Sequence, residues 1–233
     1  RTKTKLAGGR LWENWKISAS GYAAVWATEN TRDALFAAIK RKEVYATTGS
    51  RIRVRFFGGW NFSQTTLDVP NFEELGYKMG VPMGGDLSDH DGTAPGFIFS
   101  AFRDPTGANL DRVQIIKGWL DNDGKAHEKV YDVAWAGRRE VDPATGKLPP
   151  IGSTINFSEG IYDNSIGENY LSGLWVDPEF DPKLASFYYC RVIEIPRPRW
   201  TLKDSVFFNV ELAREIPKIV QDRAYTSPIW YTP

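Results

Sequence analysis

The sequence predicts an α+β protein that is mostly β, with a short α/β segment over residues 1–50 and an antiparallel β-sandwich-like domain over residues 51–233. Three observations lead to this prediction. Apolar and polar residues alternate strictly over 51–56, which is the period of a half-buried strand. Two long apolar stretches flank Asp123-Gly124, and this dipeptide is typical of a hairpin turn. The clearest helix signal covers only residues 31–42.

In the N-terminal segment, the helix over 31–42 is followed by a short strand over 44–47. Asn30 is the expected N-cap, and Asp33 stands where a capping box has Glu. A piece this short cannot bury both its faces by itself. We therefore expect residues 1–50 to be the end of a larger α/β domain that begins upstream. The apolar face of the helix consists of Leu35, Ala38 and Ile39.

The rest of the chain is expected to consist of antiparallel strands joined by turns. Residues 61–93 are rich in Gly and Pro and are predicted to be a loop, and 137–183 a long ordered excursion. Pro228 should interrupt the last strand, because proline cannot donate to a ladder. Predicted strands cover residues 51–56, 96–102, 110–120, 125–135, 186–195 and 225–231.

Composition excludes several kinds of partner. The chain has 29 basic and 29 acidic residues, so it has no net charge to attract nucleic acid or an anionic membrane. It contains no apolar stretch of the ~20 residues that a membrane span needs. We therefore expect no nucleic-acid partner and no membrane contact from this segment. Because the chain opens at Arg1 rather than Met, a processed, cleaved or truncated product is expected, with any targeting signal upstream.

One segment has the features of a substrate-binding turn. Thr47, Thr48 and Gly49 follow the short strand of the α/β segment, and ligands gather at the carboxyl ends of strands in such folds. Arg51 adds a planar guanidinium that suits an anion or phosphate. The plainer interpretation is a strand-to-linker turn followed by the wet face of an edge strand, and the sequence favours it.

The only dense group of metal-ligand residue types is Asp86, Asp89, His90 and Asp91. Its spacing does not fit an EF-hand, so a solvated polar turn is the favoured interpretation. A hydrolytic metal cluster needs several converging His and carboxylates, and the chain has only two His. No metal or other cofactor is therefore expected to bind this chain. Cys190 lies in an apolar strand and is expected to be a small buried hydrophobe.

Nine Trp residues leave a further alternative open. Exposed aromatic rings can stack on sugars or bases. An autonomous carbohydrate-binding module would show coplanar exposed aromatics, and would be excluded if its candidate residues all proved buried. Packing in the core is the favoured interpretation of these candidates, which are Trp60, Trp119, Trp135 and Trp175.

Long motifs give the chain a resemblance to a known family. The chain resembles a large bacterial family named only as a domain of unknown function, which is similar to the PHP (polymerase and histidinol phosphatase) superfamily of metal-dependent phosphoesterases. The resemblance covers nearly the whole chain. The motifs that carry it are Ala24-Val25-Trp26-Ala27, Glu29-Asn30-Thr31-Arg32, Lys42-Glu43-Val44-Tyr45-Ala46-Thr47-Thr48-Gly49, Arg53-Val54-Arg55-Phe56-Phe57-Gly58-Gly59-Trp60, Pro82-Met83-Gly84-Gly85-Asp86-Leu87, Asp104-Pro105, Ala108-Asn109-Leu110-Asp111, Lys117-Gly118-Trp119 and Ser227-Pro228-Ile229-Trp230.

The resemblance implies a distorted α/β barrel followed by a C-terminal β domain. It also implies divalent-metal ligands upstream of Ala24, in a part of the parent that this sequence does not contain. The expected function is then the non-catalytic C-terminal region of a PHP-like metal-dependent hydrolase, which completes the barrel and adds an accessory β domain. Its partners would be the N-terminal part of the parent and, if it self-associates, a homo-oligomer. A periplasmic or exported location is implied, and a cytoplasmic one stays open. The alternatives are an autonomous module binding carbohydrate or another ligand, and a purely structural domain.

Overall fold

The computed structural model describes residues 3–5, 11–16, 20–67, 69, 71–88 and 92–233. The described residues form strands and a few short helices, which gives a mostly β member of the α+β class. The strands are β1 (Lys3–Lys5), β2 (Leu11–Glu13), β3 (Tyr22–Val25), β4 (Val44–Thr47), β5 (Arg53–Gly59), β6 (Gly80–Pro82), β7 (Asp86–Leu87), β8 (Gly96–Phe102), β9 (Leu110–Leu120), β10 (Ala126–Trp135), β11 (Tyr170–Val176), β12 (Ser186–Glu194), β13 (Arg197–Pro198), β14 (Ile219–Val220), β15 (Arg223–Thr226) and β16 (Ile229–Tyr231). The α-helices are α1 (Arg32–Lys40), α2 (Gln64–Leu67), α3 (Phe72–Met79) and α4 (Trp200–Phe207).

Two open sheets pack face to face. The larger has eight strands, in the order β10-β9-β12-β15-β4-β3, with β16 beside β12 and β7 beside β16. The smaller has the order β11-β8-β5-β6. Between them lies an apolar core to which Phe56, Phe97 and Phe99 contribute from the smaller sheet and Ile115 and Tyr188 from the larger. The mostly β fold with antiparallel pairing is thus as predicted, and neither sheet closes into a barrel within the described residues.

The long strand β12 organises the larger sheet. It pairs along its length with β9 on one side. On the other side, Ser186–Tyr188 pair with β16 and Arg191–Ile193 pair with β15. The break between β15 and β16 falls at Ser227-Pro228, as predicted from the proline. In the gap, the backbone N–H of Cys190 donates to the hydroxyl of Thr226 at 2.9 Å.

The hairpin of β9 and β10 is confirmed, with Leu120 paired to Ala126 across the turn. Gly124 in this turn has a φ of 75°, which a glycine adopts without strain. Two other regions differ from the prediction. The expected loop over 61–93 contains α3, which covers the outer face of the smaller sheet, and the excursion over 137–183 contains strand β11.

The N-terminal helix is confirmed with corrected ends. Thr31, not Asn30, is the N-cap of α1, because its extended backbone lets its hydroxyl accept the N–H of Ala34. Only Ala38 of the expected apolar face is fully buried, and Ile39 is 55% exposed.

Strands β3 and β4 extend the larger sheet beyond β15, so the sheet crosses the predicted domain boundary at residue 50. That residues 1–50 complete a barrel stays a prediction. None of the helices in the described residues is both long and apolar enough to span a bilayer.

Candidate functional site

A cleft of about 410 Å³ opens at one edge of the larger sheet, where β4 and β12 both end. We call it the arginine cleft. β4 and β12 both run antiparallel to β15, so their carboxyl ends reach the same edge. The residues that line it come from the turn after β4, from β13, from the start of α4 and from the segment around the start of β15. They are Thr48, Gly49, Arg197, Arg199, Trp200, Val220, Gln221, Asp222 and Arg223.

Asp222 links the turn after β4 to the cationic wall of the cleft. Its carboxylate accepts a hydrogen bond from the Thr48 hydroxyl at 2.7 Å and another from the guanidinium of Arg197. The same Thr48 hydroxyl accepts the backbone N–H of Arg223 at 3.0 Å. The Thr48 hydroxyl is therefore engaged within the protein and orients Asp222, which in turn holds Arg197 at the cleft.

Glu194, the last residue of β12, lies under the same wall and is fully buried. Neither of its carboxylate oxygens makes a hydrogen bond within the described part of the chain, and the nearest cation is Arg197, whose Nε lies 3.8 Å away. Burial raises the pKa of Glu194 to about 7, against the opposing effects of the Ser50 hydroxyl and Arg197. Below pH 7 the carboxyl of Glu194 is mostly neutral. The positive charge of the arginines then dominates the charge of the arginine cleft.

Asp104 binds the backbone on the C-terminal side of the turn after β4. Its carboxylate accepts hydrogen bonds from the backbone N–H of Arg51 at 2.8 Å and from the N–H and hydroxyl of Thr106. Burial acts to raise the pKa of Asp104, but these hydrogen bonds outweigh it and hold the pKa below its ordinary value. Asp104 therefore stays ionised and fixes the backbone of the turn.

The structure divides the predicted substrate-binding residues between two places. Thr48 and Gly49 line the arginine cleft, whereas Thr47 and Arg51 line a second cleft of about 360 Å³ beside Asp104. Thr47 is buried, and its hydroxyl oxygen has no hydrogen-bond partner among the described residues. That these residues bind a substrate stays a prediction. Sequence reasoning missed Arg197 and Arg223, and it also missed the carboxylates of Asp222 and Glu194 that lie close to Arg197.

The structure describes only one of the four candidate metal ligands. Asp86 lies exposed on β7, and Asp89, His90 and Asp91 fall outside the described residues. Among the residues that the structure describes, no group of three or more His, Cys, Asp or Glu converges on one point. Cys190 is completely buried and burial raises the pKa of its thiol, which confirms the prediction of a core residue.

A second surface of interest lies on the outer face of the larger sheet, the face turned away from the core. Residues paired across neighbouring strands project from the same face of a sheet. Gly118 on β9 is paired with Glu128 on β10 and Phe187 on β12, Phe187 with Trp230 on β16, and Trp230 with Asp86 on β7. We call this line of five residues the aromatic row.

The rings of the row are held by their neighbours. A Cβ on Gly118 would lie 2.3 Å from the ring of Phe187, so this ring covers the backbone of the glycine. The ring centroids of Phe187 and Trp230 are 5.1 Å apart, and Trp230 is 43% exposed. Tyr189, next on the same face of β12, is nearly parallel to Phe187, with an interplanar angle of 13° and centroids 6.5 Å apart.

The tryptophans singled out from the sequence do not belong to the aromatic row, but one of them, Trp119, lines a cleft beside it. Trp60, Trp119, Trp135 and Trp175 are all half-buried, so the condition that would exclude a carbohydrate module is not met. Trp175 packs on Phe97 in the core and Trp119 stacks on His127. The signal for the aromatic row was the alternation in β12, where Phe187 and Tyr189 stand out of phase with the core residues Tyr188 and Cys190.

Comparison with known protein families identifies a match over the whole chain. The family model described as "Protein of unknown function (DUF3604)" matches residues 1–233, which is the whole chain. No curated protein and no solved structure matches the chain. The resemblance to a family named as a domain of unknown function is thereby confirmed, and its relation to the PHP superfamily stays a prediction.

Proposed function

We propose that this chain, which belongs to the DUF3604 family, is the non-catalytic accessory region of a PHP-like metal-dependent phosphohydrolase. Its part in that protein is to hold an anionic group of the substrate in the arginine cleft. The divalent metal, which activates the attacking water in such enzymes, is held by other residues of the parent. The proposal also includes an exported parent protein. Within it, this chain would contact the N-terminal part of the parent and would be able to self-associate.

The observation that carries this proposal is the charge of the arginine cleft. Arg197, Arg199 and Arg223 line it, and the one acidic side chain among its lining residues is that of Asp222. Guanidinium groups bind phosphate through two parallel hydrogen bonds, which fixes the orientation as well as the position of the anion. Binding energy from a part of the substrate that does not react can in this way be used to position the part that does.

The arrangement also explains which side chains can meet a ligand. Arg197 is half-buried and already held by Asp222, so it presents its remaining N–H groups in a fixed direction. Arg223 is exposed, and among the described residues its guanidinium makes only a long contact of 3.4 Å with the Tyr225 hydroxyl. Arg223 is therefore the residue best able to turn toward an incoming anion.

Titration of the chain with inorganic phosphate and with phenyl phosphate, followed by calorimetry at pH 6, tests the proposal. Both should bind, and added salt should weaken binding because the contacts are partly exposed. Arg223→Gln should weaken binding about tenfold, which is at the low end for the loss of one charge-assisted hydrogen bond. Arg138→Gln, which changes an exposed arginine outside the cleft, is the matched control and should leave the affinity unchanged.

Two results would contradict the proposal. One is the absence of phosphate binding, or binding that Arg223→Gln and Arg138→Gln affect equally. The other is turnover of a phosphoester by the chain alone in the presence of a divalent metal, because the proposal assigns catalysis to residues outside it.

A further inference from the structure

We propose that the aromatic row is a binding site for a neutral oligosaccharide. This goes beyond the proposed function, since it concerns a different face of the protein and a different class of ligand. The row runs across five neighbouring strands, with Glu128 at one end, Asp86 at the other and the aromatic rings between them. It spans about 19 Å at the usual spacing between strands, which suits an extended ligand of several linked rings.

The rings give the site an apolar floor. Trp230 is 43% exposed and Phe187 is half-buried, so both offer part of a ring surface to solvent. One face of a pyranose ring is lined with C–H groups and packs on aromatic surface of this kind. The near-parallel rings of Phe187 and Tyr189, together with Trp230, could support more than one sugar unit.

The groups around the rings select for hydroxyls. Glu128 and Asp86 are exposed carboxylates, which accept hydrogen bonds from sugar hydroxyls. Their negative charge also opposes an anionic polysaccharide, so the ligand is a neutral one. A cleft of about 630 Å³ lies here, lined by Leu120, Glu128, Phe187, Trp230 and Thr232 among others, and this size is ordinary for a small-ligand site.

The backbone geometry indicates that the ring of Phe187 has a fixed position. Phe187 lies over Gly118, where a side chain would collide with its ring at 2.3 Å. The ring of Phe187 also packs against the rings of its neighbours Trp230 and Tyr189. Rings that are fixed before binding lose little conformational freedom when a ligand arrives, and this favours affinity.

The test is calorimetric titration of the 233-residue chain with cellopentaose, maltopentaose and xylopentaose at moderate salt. At least one should bind, and high salt should not weaken it, since the ligand carries no charge. Trp230→Ala and Phe187→Ala should each weaken binding about fivefold to tenfold, in line with the loss of one aromatic contact. Phe207→Ala removes an aromatic ring that is 82% exposed on α4, and should leave the affinity unchanged.

Thermal unfolding of each variant shows whether it is still folded, so a lost fold is not mistaken for a lost site. The proposal is overturned if none of the three oligosaccharides binds, or if binding survives both Trp230→Ala and Phe187→Ala. It is also overturned if sedimentation shows a dimer that Trp230→Ala dissociates, because the row would then be an interface between copies. Phe187 and Trp230 do not line the arginine cleft, so their variants should leave phosphate binding unchanged, and failure here would not contradict the proposed function.

Discussion

The two ends of β12 bury carboxylates in opposite ways. Near its first residues, Asp177 is matched by the Lys117 ammonium at 2.6 Å and by the Tyr188 hydroxyl at 2.7 Å. At its last residue, Glu194 is buried as deeply but has no hydrogen bond among the described residues. A satisfied buried carboxylate acts as part of the framework, whereas an unsatisfied one is a local cost that folded proteins tolerate mainly at functional positions. The comparison indicates a structural role for the first end and agrees with the proposal of an anion site near the second.

Removing the charge at the satisfied end is the strongest test of this comparison. Asp177→Ala leaves the ammonium of Lys117 buried without its partner, and should lower the free energy of unfolding by about 3–5 kcal/mol. Urea unfolding measures the loss. The double variant Asp177→Leu with Lys117→Met removes both charges and should recover most of the stability. If the single variant lost less than the double one, Asp177 would not be the structural group that we describe.

Glu194→Gln sharpens the comparison at the other end. Between about pH 4.5 and pH 7 the folded protein keeps Glu194 protonated while the unfolded chain has released that proton, so stability falls as pH rises and levels off above 7. The total loss is up to about 3 kcal/mol, and Glu194→Gln should abolish it because an amide does not titrate.

Unfolding in urea at pH 5 and pH 8 measures this difference, with Glu140→Gln as the control for an exposed glutamate. If the protein and Glu194→Gln showed the same change between the two pH values, Glu194 would not titrate near 7 and the charge of the arginine cleft would not depend on it.

The smallest effect is expected at Gly118, under the aromatic row. Gly118→Ala brings a methyl group to 2.3 Å from the ring of Phe187, which must tilt away. Because this ring borders solvent, the cost should be only about 1 kcal/mol, at the low end for overpacking. Thermal unfolding measures it, and Phe187→Leu should partly relieve it in the double variant. If the loss of stability in the double variant equalled the sum of the losses in the two single variants, the ring of Phe187 would not cover the glycine.

Strands with a clear apolar pattern were predictable, whereas helix α3 and strand β11, each with a glycine in its middle, were missed. The alternation in β12 and the turn at Gly124 depend on neighbouring residues, so the sequence reveals them directly. Helix α3 contains Gly76 and strand β11 contains Gly173, and a glycine in either kind of element argues against it. In the structure a Cβ at these positions would lie 2.6 Å from the Phe57 ring and 2.7 Å from the Phe99 ring. The reason for each glycine is thus a distant aromatic residue, which no local pattern contains.

The same limit applies to the arginine cleft. Thr48 and Gly49 were predicted because a turn after a strand can be recognised within the chain. Asp222 hydrogen-bonds to Thr48 across 174 positions of sequence, and Arg197 reaches the same point from another strand. Only the strand order brings these residues together, and that order could not be obtained from the periodicity of one strand.

The interruption at Ser227-Pro228 has a consequence for how changes spread through the molecule. On the side of β12 that faces away from β9, a continuous partner strand would have joined both ends of β12 through an unbroken ladder of backbone hydrogen bonds. Instead β15 faces the arginine cleft and β16 carries Trp230, and at the junction a single side-chain hydroxyl, that of Thr226, takes over the pairing. On this side of β12, a shift in one half of the broken strand is therefore not forced directly on the other half, and β9 on the opposite side is the one strand that links both halves of β12 within the described residues.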